Sequence, residues 1–351
     1  MPGDGSNDIL FSRDGGAGRI LLNRPQALNA ITHDMVVALQ AQLSEWAIDG
    51  SVKLVIIEGA GDKAFCAGGD IRDIYDTRGD NDDFVKRFFT DEYRMNMFIK
   101  SYPKPYIAIM DGIVMGGGVG VSVAGSKRIV TEKTRCAMPE TGIGLFPDVG
   151  GTYYLSRSPG NAGVYLGLTG ERMKAADAIH AGFADCNVAS ETVTEMLAEL
   201  CAGEYNQDPH GDVDKIVKPF QIDPGPVSLD SVDDAFSLDS LEDIISALKA
   251  LKSDWGNQTL ATLNQKSPTA LMVTLRAIQS ARELSFNDSM AQEYRMVLQT
   301  MKGDDIYEGI RALLIDKDGQ PQWRPETLDQ VTDDRVDAHF QLLGDEELTG
   351  P

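Results

Sequence analysis

Three consecutive glycines at residues 116–118, directly after an apolar segment, constrain this chain more than any other feature. The apolar segment, residues 106–110, predicts a buried strand, and the small residues at 119–124 predict a closely packed helix after the glycines. Glycines at the start of a helix leave backbone N–H groups open to a ligand, because no Cβ covers them. The helix dipole also favours negative charge there. This segment therefore predicts a binding site for either a phosphate group or a developing oxyanion.

The net charge and the cysteines limit which ligands and which cellular compartment fit this chain. The chain has 351 residues and a net charge of −22, which disfavours binding to nucleic acid or to an anionic membrane. No apolar run is long enough to predict a membrane-spanning helix, and the N-terminal residues lack the pattern of a signal or transit peptide. The four cysteines lack the spacing of a disulfide framework and are typical of reduced thiols. We therefore expect a cytoplasmic protein, or a mitochondrial-matrix protein if the chain is eukaryotic and its presequence has been removed.

Strand-like and helix-like segments alternate over the first part of the chain, and this alternation predicts an α/β fold. Residues 9–12 and 20–22 predict the two strands of a hairpin, and residues 52–57 predict a buried strand. Residues 71–101 predict helical structure that is interrupted near Gly79.

The composition changes over residues 219–248, which contain no lysine or arginine and are rich in acidic residues. This segment indicates a linker or an exposed crossing segment. Beyond it the pattern is helical, with predicted helix starts at Ser240 and at residues 267–268. We expect residues 1–205 to form the catalytic core. We expect residues 206–351 to form a mostly helical region that packs on this core or on a neighbouring subunit.

Two glycine sites are candidates to offer backbone donors to one ligand atom. Gly69 follows an apolar segment, and Gly117 lies within the triple glycine. Two N–H groups aimed at one oxygen form an oxyanion hole. For either site taken alone, a tight turn is the better explanation. The glycines by themselves therefore leave both alternatives open.

Two acidic residues flank an uncharged, glycine-rich loop. Glu140 follows Pro139 after a predicted strand, and Asp148 lies just before a pair of glycines. A carboxyl group in an apolar loop has a raised pKa and is a stronger base. Two such groups near one carbon can divide the roles of nucleophile or base and of its partner. The alternative, in which Glu140 caps a turn and Asp148 caps a helix, is equally open at this point.

Other routes to hydrolysis or nucleotide binding lack their motifs. No Gly-x-Ser-x-Gly elbow is present, and no Walker lysine follows the glycines. No Gly-x-Gly-x-x-Gly motif opens a first βα unit. The histidines lie too far apart to predict a metal site.

Four segments in this order resemble the enoyl-CoA hydratase/isomerase (crotonase) superfamily; they are residues 22–30, 64–71, 111–120 and 138–152. This resemblance covers about residues 8–205. Residues 304–318 and 321–325 resemble the 3-hydroxyisobutyryl-CoA hydrolases within that superfamily, so the resemblance extends over nearly the whole chain. It implies a ββα spiral core and a small-molecule acyl-CoA substrate. It implies no metal or redox cofactor, because coenzyme A is part of the substrate, and it allows a homo-oligomer.

The resemblance also implies roles for individual residues. Gly69 and Gly117 would supply the oxyanion-hole N–H groups, and Glu140 would be the catalytic glutamate, with Asp148 as its partner. Glu92 matches a glutamate that contacts the acyl group, although its own surroundings in the sequence are typical of a solvated helix. Further substrate-binding residues are implied at Ala67, Asp70, Ile71 and Arg24. Arg24, and with less support Lys63, would lie near the adenine and phosphate end of coenzyme A.

Gly120 stands where the hydratases carry a second catalytic glutamate. Adding water across a double bond needs two placed acid or base groups, so the hydratase pair is incomplete here, whereas Asp148 is gained. The resemblance therefore implies hydrolysis of a thioester, with 3-hydroxyisobutyryl-CoA from valine breakdown as the expected substrate and 3-hydroxypropionyl-CoA as another. Glu140 would act either as a nucleophile or as a general base. The alternatives are an enoyl-CoA hydratase or isomerase and a non-catalytic acyl-CoA-binding protein.

Overall fold

Among the residues that the structure describes, the strands all lie in the first part of the chain. The computed structural model describes residues 7–78, 82–229, 232 and 234–350. Its strands are β1 (Ile9–Asp14), β2 (Ala17–Leu22), β3 (Leu54–Gly59), β4 (Ala64–Cys66), β5 (Tyr106–Met110), β6 (Ile113–Met115), β7 (Lys127–Thr131), β8 (Arg135–Ala137) and β9 (Cys186–Val188).

Helices connect these strands and then form all of the regular structure of the C-terminal region that is described. The helices of the first part are α1 (His33–Ile48), α2 (Ile71–Asp76), α3 (Asp82–Lys100), α4 (Gly117–Gly120), α5 (Gly151–Leu155), α6 (Ala162–Thr169), α7 (Ala175–His180) and α8 (Val193–Ala202). The helices that follow are α9 (Pro209–Val217), α10 (Leu241–Leu251), α11 (Asp254–Leu263), α12 (Pro268–Ala281), α13 (Phe286–Thr300), α14 (Asp305–Ile310) and α15 (Asp333–Asp337). None of the helices in the described residues has the length and hydropathy that a membrane span requires.

The strands form a six-stranded sheet in the order β1-β2-β3-β5-β7-β9 and a three-stranded sheet in the order β4-β6-β8. In each of three consecutive strand pairs, the first strand joins the larger sheet and the second joins the smaller one. The hairpin β1–β2 is antiparallel, and the remaining pairings of these strands are parallel. A parallel sheet needs cover on both faces, which explains why β5 is buried at every residue. The arrangement confirms the predicted α/β class and the ββα spiral.

Several predicted bounds change in the structure. The hairpin strands are longer than predicted, and β3 begins at Leu54 rather than at residue 52. The predicted helix over residues 119–124 is wrong, because α4 begins at Gly117 and ends after a single turn. Glycine and β-branched valine are weak helix formers, and they alternate here, so the turn does not propagate. The predicted interruption near Gly79 lies outside the described residues.

The C-terminal helices share one apolar core with the spiral. Ile9 near the start of the chain and Leu348 near its end belong to the same buried cluster. Helix α13 packs on α3, α12 packs on α5 and α6, and α14 packs on α2. Of the two predicted positions for this region, packing on the core of its own chain is therefore observed. The division into two domains near residue 205 stays a prediction.

The acidic segment that precedes these helices crosses the surface beside β9. Residues 221–226 are exposed, as predicted, and the backbone N–H of Ile222 donates to the Asn187 carbonyl at 2.9 Å. The Ser228 hydroxyl donates to the Asp177 carboxylate at 2.7 Å. The segment is therefore hydrogen-bonded to the core and is not a free linker.

Candidate active site

A cavity of about 340 Å³ lies between the spiral and the C-terminal helices. The spiral contributes both candidate glycines and three carboxyl side chains to its lining. The C-terminal region contributes Lys266 and three apolar side chains, Met301, Ile306 and Leu313. The cavity therefore brings together groups that are more than 200 residues apart in sequence.

The N–H of Gly69 points away from the adjacent backbone segment around Ile31. The Gly68 carbonyl accepts a hydrogen bond from the Ile31 N–H at 2.9 Å, and the Asp70 N–H donates to the Ile31 carbonyl at 2.8 Å. The Gly69 N–H belongs to the same trans peptide as the Gly68 carbonyl, so it points in the opposite direction. Gly69 lines the cavity. Its N–H is therefore a donor on the cavity side.

Gly117 places a second amide beside the first. It is the first residue of α4, so its N–H has no partner within the helix. A Cβ built on Gly117 would lie 3.1 Å from the Gly69 nitrogen, so the two glycines face the same small space. The preceding Gly116 has a φ of +49°, which a residue with a side chain adopts only with strain. Because α4 is one turn long, its dipole adds little, and the site depends on the two amides.

Glu140 begins the 3-10 turn Glu140–Ile143, directly after β8 and Pro139. Its side chain is 5% exposed, and among the described residues its Oε2 atom has no hydrogen-bond partner. Burial raises the pKa of Glu140 well above its ordinary value, and the charge of Asp148 adds to this rise, whereas the charge of Lys266 opposes it. A buried carboxyl oxygen without a donor is a poor structural element. Its position at the cavity wall is instead typical of a reactive group.

Asp148 lines the same cavity and has one identified side-chain donor. The Tyr93 hydroxyl donates to its Oδ2 atom at 2.8 Å. Burial raises the pKa of Asp148 to about 6, while the hydrogen bond from Tyr93 opposes the rise. The next two residues are left-handed, with φ of +51° at Val149 and +87° at Gly150. Left-handed backbone is unusual for a β-branched residue, so this turn is strained beside the candidate carboxylate.

Glu92 completes a cluster of three carboxyl groups. It lies on α3 and is 3% exposed, so its prediction as a solvated residue from the sequence around it is wrong. The reason is that α3 turns this face toward the cavity, together with Phe88 and Phe89. Burial raises the pKa of Glu92 well above its ordinary value, and the charge of Asp148 adds to the rise. A Cβ on Gly117 would lie 3.0 Å from its Oε1 atom, so Glu92 borders the space between the two amides.

Lys266 is the one lysine or arginine among the described residues that line this cavity. It precedes α12, where the Ser267 N–H donates to the Thr141 carbonyl at 3.1 Å and fastens this segment to the turn that carries Glu140. A Cβ on Gly142 would lie 3.4 Å from the Lys266 Nζ atom. Burial lowers the pKa of Lys266, and the charge of Glu140 opposes the fall. The cation thus lies within electrostatic reach of the carboxyl cluster.

Two of the other four predicted substrate-binding residues lie at the cavity, and two do not. Ala67 and Ile71 line the cavity, whereas Asp70 and Arg24 do not. The Arg24 guanidinium pairs with the Asp70 carboxylate at 2.9 Å and with Asp8 at 3.2 Å, and it donates to the Ala30 carbonyl at 2.7 Å. The N–H donors of Arg24 are therefore largely occupied by Asp8, Ala30 and Asp70. A contact between Arg24 and a phosphate group stays a prediction.

Lys63, the other predicted phosphate contact, is exposed and borders a separate cavity of about 190 Å³. Its role also stays a prediction. Among the described residues, no group of three or more His, Cys, Asp or Glu side chains is arranged to hold a metal ion.

Sequence patterns missed three residues of the site: Tyr93, Lys266 and Glu293. Glu293 was detectable, because it lies between Met290 and Val297 on the apolar stripe of α13, where a charged residue is unexpected. Tyr93 and Lys266 carry no comparable signal. Their importance depends on which distant element they face.

Gly120 has no room for a side chain. A Cβ built there would lie 2.8 Å from the Asn96 Nδ2 atom and 2.9 Å from the Val149 Cβ atom, closer than real Cβ atoms approach their neighbours. An acidic side chain at position 120 is therefore excluded by the packing of α3 and of the turn after Asp148.

Known proteins resemble this chain over almost its entire length. A family model described as Enoyl-CoA hydratase/isomerase matches residues 17–340. Relatives from Gallus gallus and Homo sapiens, both named 3-hydroxyisobutyryl-CoA hydrolase, mitochondrial, are 41% and 40% identical over 98% of this chain and 91% of each relative. A relative of the same name from Xenopus tropicalis is 43% identical over 97% of this chain and 90% of its own length.

Two solved structures are similar in fold and in sequence. One is named a carnitinyl-CoA dehydratase from Mycobacterium thermoresistibile; it has a TM-score of 0.91 and 42% identity, covering 97% of this chain and 98% of that one. The other is named an enoyl-CoA hydratase from Rhodobacter sphaeroides 2.4.1; it has a TM-score of 0.85 and 37% identity, covering 97% of this chain and 99% of that one.

Proposed function

The chain belongs to the enoyl-CoA hydratase/isomerase family, and from that premise we propose that it is an acyl-CoA thioester hydrolase that acts on 3-hydroxyisobutyryl-CoA. The observation that carries the proposal is the pairing of Glu140 with Asp148 in a cavity where position 120 has no side chain. Relatives at about 40% identity over nearly the full length bear the name of this hydrolase. Such a substrate would place the protein in valine breakdown.

The names of similar proteins disagree, since the two solved structures are named a dehydratase and a hydratase. The site geometry supports the hydrolase. Hydration of a double bond needs two placed acid or base groups that act on adjacent carbons. The second of these has no space at Gly120, whereas Asp148 lines the same cavity as Gly69 and Gly117.

The N–H groups of Gly69 and Gly117 would hold the thioester oxygen. As the carbonyl carbon becomes tetrahedral, negative charge develops on this oxygen, and both donors then bind it more strongly than in the ground state. The buried surroundings strengthen these hydrogen bonds relative to water. This step needs no movement of either glycine.

Glu140 would attack the carbonyl carbon through a carboxylate oxygen. The carbon–sulfur bond breaks, coenzyme A leaves as its thiol after receiving a proton, and water then cleaves the mixed anhydride to restore Glu140. In the other form of the mechanism, Glu140 removes a proton from the water that attacks the carbon directly. Asp148, with a pKa of about 6, is suited to carry the proton to the leaving sulfur in either form.

The remaining cavity groups would select the acyl chain. Glu92 borders the space beside Gly117, where its carboxyl group can hydrogen-bond the 3-hydroxyl of the substrate. Phe88 and Phe89 form an apolar wall against the short branched chain. Lys266 supplies positive charge that partly offsets the three carboxyl groups.

A pair of assays on the same enzyme tests this function. Release of free coenzyme A from 3-hydroxyisobutyryl-CoA is followed with a thiol reagent, and loss of enoyl absorbance is followed with crotonyl-CoA. We expect turnover only in the first assay. Turnover of crotonyl-CoA alone would instead establish a hydratase, the function that the names of the solved structures favour.

The two forms of the mechanism differ in where oxygen from water is incorporated. The experiment is a single turnover in isotope-labelled water. If water attacks the mixed anhydride at its acyl carbon, only the product is labelled. If water attacks the anhydride at the Glu140 carbonyl, the enzyme is labelled. A general-base mechanism never labels Glu140. Mass spectrometry of the peptide that contains Glu140 therefore detects attack at the Glu140 carbonyl. The other two cases both leave Glu140 unlabelled, and rapid-quench trapping of the mixed anhydride separates them.

The protein's location and assembly are part of the same proposal. All four cysteines are buried and none forms a disulfide, in keeping with a reducing compartment, and the relatives described above are named as mitochondrial. These two observations support a cytosolic or matrix location. Sedimentation of the purified protein tests whether it forms a homo-oligomer.

A further inference from the structure

A fully buried carboxylate of the C-terminal region binds the backbone of the turn that carries Asp148. Glu293 lies on α13 and has no exposed surface. Its Oε2 atom accepts a hydrogen bond from the Gly150 N–H at 2.7 Å, and its Oε1 atom accepts one from the Thr152 N–H at 3.0 Å. The Thr152 hydroxyl donates to the same Oε1 atom. These contacts join residues 143 and 141 positions apart in sequence.

The position of Glu293 is unfavourable for stability alone. Burial raises its pKa to about 8, the three donors oppose this rise, and the charge of Asp148 adds to it. No lysine or arginine among the described residues forms an ion pair with Glu293. Burying a carboxyl group near other acids is costly, and its three donors offset part of that cost, whereas an apolar residue would leave the Gly150 and Thr152 N–H groups without an acceptor. A geometric role accounts for the presence of a carboxylate here.

The turn that Glu293 binds is the strained one. Val149 and Gly150 both have left-handed backbone, and the N–H groups of Gly150 and Thr152 point at Glu293. A valine in this conformation relaxes to extended backbone unless its surroundings hold it. Such a relaxation would rotate Asp148 away from the Tyr93 hydroxyl and from the cavity.

We infer that Glu293 is a positioning residue for the proposed hydrolysis, holding the turn of residues 148–152 so that the Asp148 carboxylate faces the thioester. This inference rests on the proposed function for its kinetic consequence. Glu293 does not line the cavity, so it acts through Asp148 and not on the substrate. The C-terminal region thereby supplies a part of the active site's geometry, in addition to part of its wall.

The test compares Glu293→Gln with two other variants. Glutamine has one acceptor oxygen, so its amide nitrogen must oppose either the Gly150 N–H or the Thr152 N–H. Thr152→Val keeps both backbone donors and removes only the hydroxyl. Glu283→Gln changes an exposed carboxyl group at the end of α12 and serves as the matched control.

For Glu293→Gln we expect kcat to fall about 10- to 100-fold, because small displacements of a catalytic group have effects of this order. We expect KM for the acyl-CoA to change by less than about 2-fold, because the cavity lining is intact. Thr152→Val should lower kcat about 3- to 10-fold with the same KM, and Glu283→Gln should match the wild type. A rise in KM without a fall in kcat, or unchanged kinetics in Glu293→Gln, would overturn the inference.

Amide hydrogen exchange without substrate gives a readout that does not depend on hydrolysis. Exchange at Gly150 and Thr152 should accelerate at least about 10-fold in Glu293→Gln and not in Glu283→Gln. If the wild type releases no coenzyme A, the proposed function is contradicted. If exchange is nevertheless faster in Glu293→Gln, the role of Glu293 in holding the turn is still supported. If Glu293→Gln does not fold, Thr152→Val decides: kinetics and exchange equal to the wild type would overturn the inference.

Discussion

The spiral core and the C-terminal helical region contribute to the cavity in different ways. The core supplies the groups that would react, and short segments of sequence place them: two glycine amides and a loop with two acids. The C-terminal region supplies Lys266, an apolar wall and the buried carboxylate of Glu293, and only long-range packing places these. The comparison indicates that the chemistry is local in sequence, whereas the electrostatics and the rigidity of the site are not. Changes in the core should therefore remove activity, and changes in the C-terminal region should tune it.

The largest effect is expected in the core, from Glu140→Gln. The amide cannot attack the thioester or act as a base, so kcat should fall by at least about 1,000-fold. Binding of free coenzyme A, measured by calorimetry, should stay within about 3-fold of the wild type, because the shape of the side chain is kept. The exposed acid Glu191, changed to glutamine, is the matched control. Full activity in Glu140→Gln would show that another group is the nucleophile or base, and no turnover in either protein would favour the non-catalytic binding protein.

The two glycines should respond differently to alanine. In Gly117→Ala the new Cβ would lie 3.1 Å from the Gly69 nitrogen and occupy the space of the substrate oxygen. We expect kcat/KM to fall about 100- to 1,000-fold, comparable to loss of an oxyanion-hole donor. In Gly69→Ala the closest contact of the Cβ is the Phe88 ring at 3.6 Å, so the loss should stay below about 10-fold. Equal losses in the two variants would contradict the assigned geometry.

Asp148→Asn should lower kcat about 100-fold and make the protein more stable at neutral pH. The pKa of Asp148 rises from 3.8 to about 6 on folding, so the folded state binds the proton more tightly than the unfolded state. The free energy of unfolding therefore falls as the pH rises from about 4 to about 6, and this loss is complete above pH 6. Asparagine keeps an acceptor for Tyr93 and avoids the loss.

Urea denaturation at pH 4 and at pH 7.5 measures this difference in stability. The two proteins should be similar at pH 4, and the variant should have the higher midpoint at pH 7.5. A variant less stable than the wild type at pH 7.5 would show that the Asp148 carboxylate is not strained by burial.

The smallest effect is expected from the C-terminal side, in Lys266→Met. The charge of Lys266 lowers the pKa of Glu140, so its removal raises that pKa and leaves less of the ionised form at low pH. The acid limb of the plot of kcat/KM against pH should move to higher pH. At pH values on this limb, kcat/KM should be about 2- to 5-fold lower than in the wild type, and at high pH it should recover. Lys266→Arg should keep the wild-type profile. A uniform loss at every pH would indicate a packing role instead.

The sequence predicted those parts of the protein in which local chemistry decides the structure. The hairpin and the buried strand at residues 106–110 follow from turn residues and apolar runs, whereas the meeting of Gly69 with Gly117 is a prediction of the family resemblance. The convergence of Glu140 and Asp148 on one cavity also agrees with the prediction, while their catalytic roles stay predictions. The hairpin and the strand needed only the residue types and their immediate neighbours, whereas the pairing of the glycines and of the acids needed the resemblance to the family.

The remaining features depend on distant packing. Glu92 is buried because α3 turns its side chain toward the cavity, and Arg24 pairs with Asp8 and Asp70, which lie in other segments of the chain. Lys266 becomes important only because its segment is fastened to the turn after Pro139. A side chain's pKa and its partners are set by such contacts, which a single sequence does not reveal.

The crowding at Gly120 constrains the order in which this protein could evolve a different reaction. A glutamate introduced there first would collide with Asn96 and with Val149, so its side chain has no space until these residues change or shift. Asn96 is fully buried, and neither its Nδ2 nor its Oδ1 atom has a hydrogen-bond partner among the described residues, so a smaller residue at position 96 would remove one of the two collisions without breaking a side-chain hydrogen bond. The permissive mutation must therefore come first, which makes the mutational path from hydrolase to hydratase strongly epistatic.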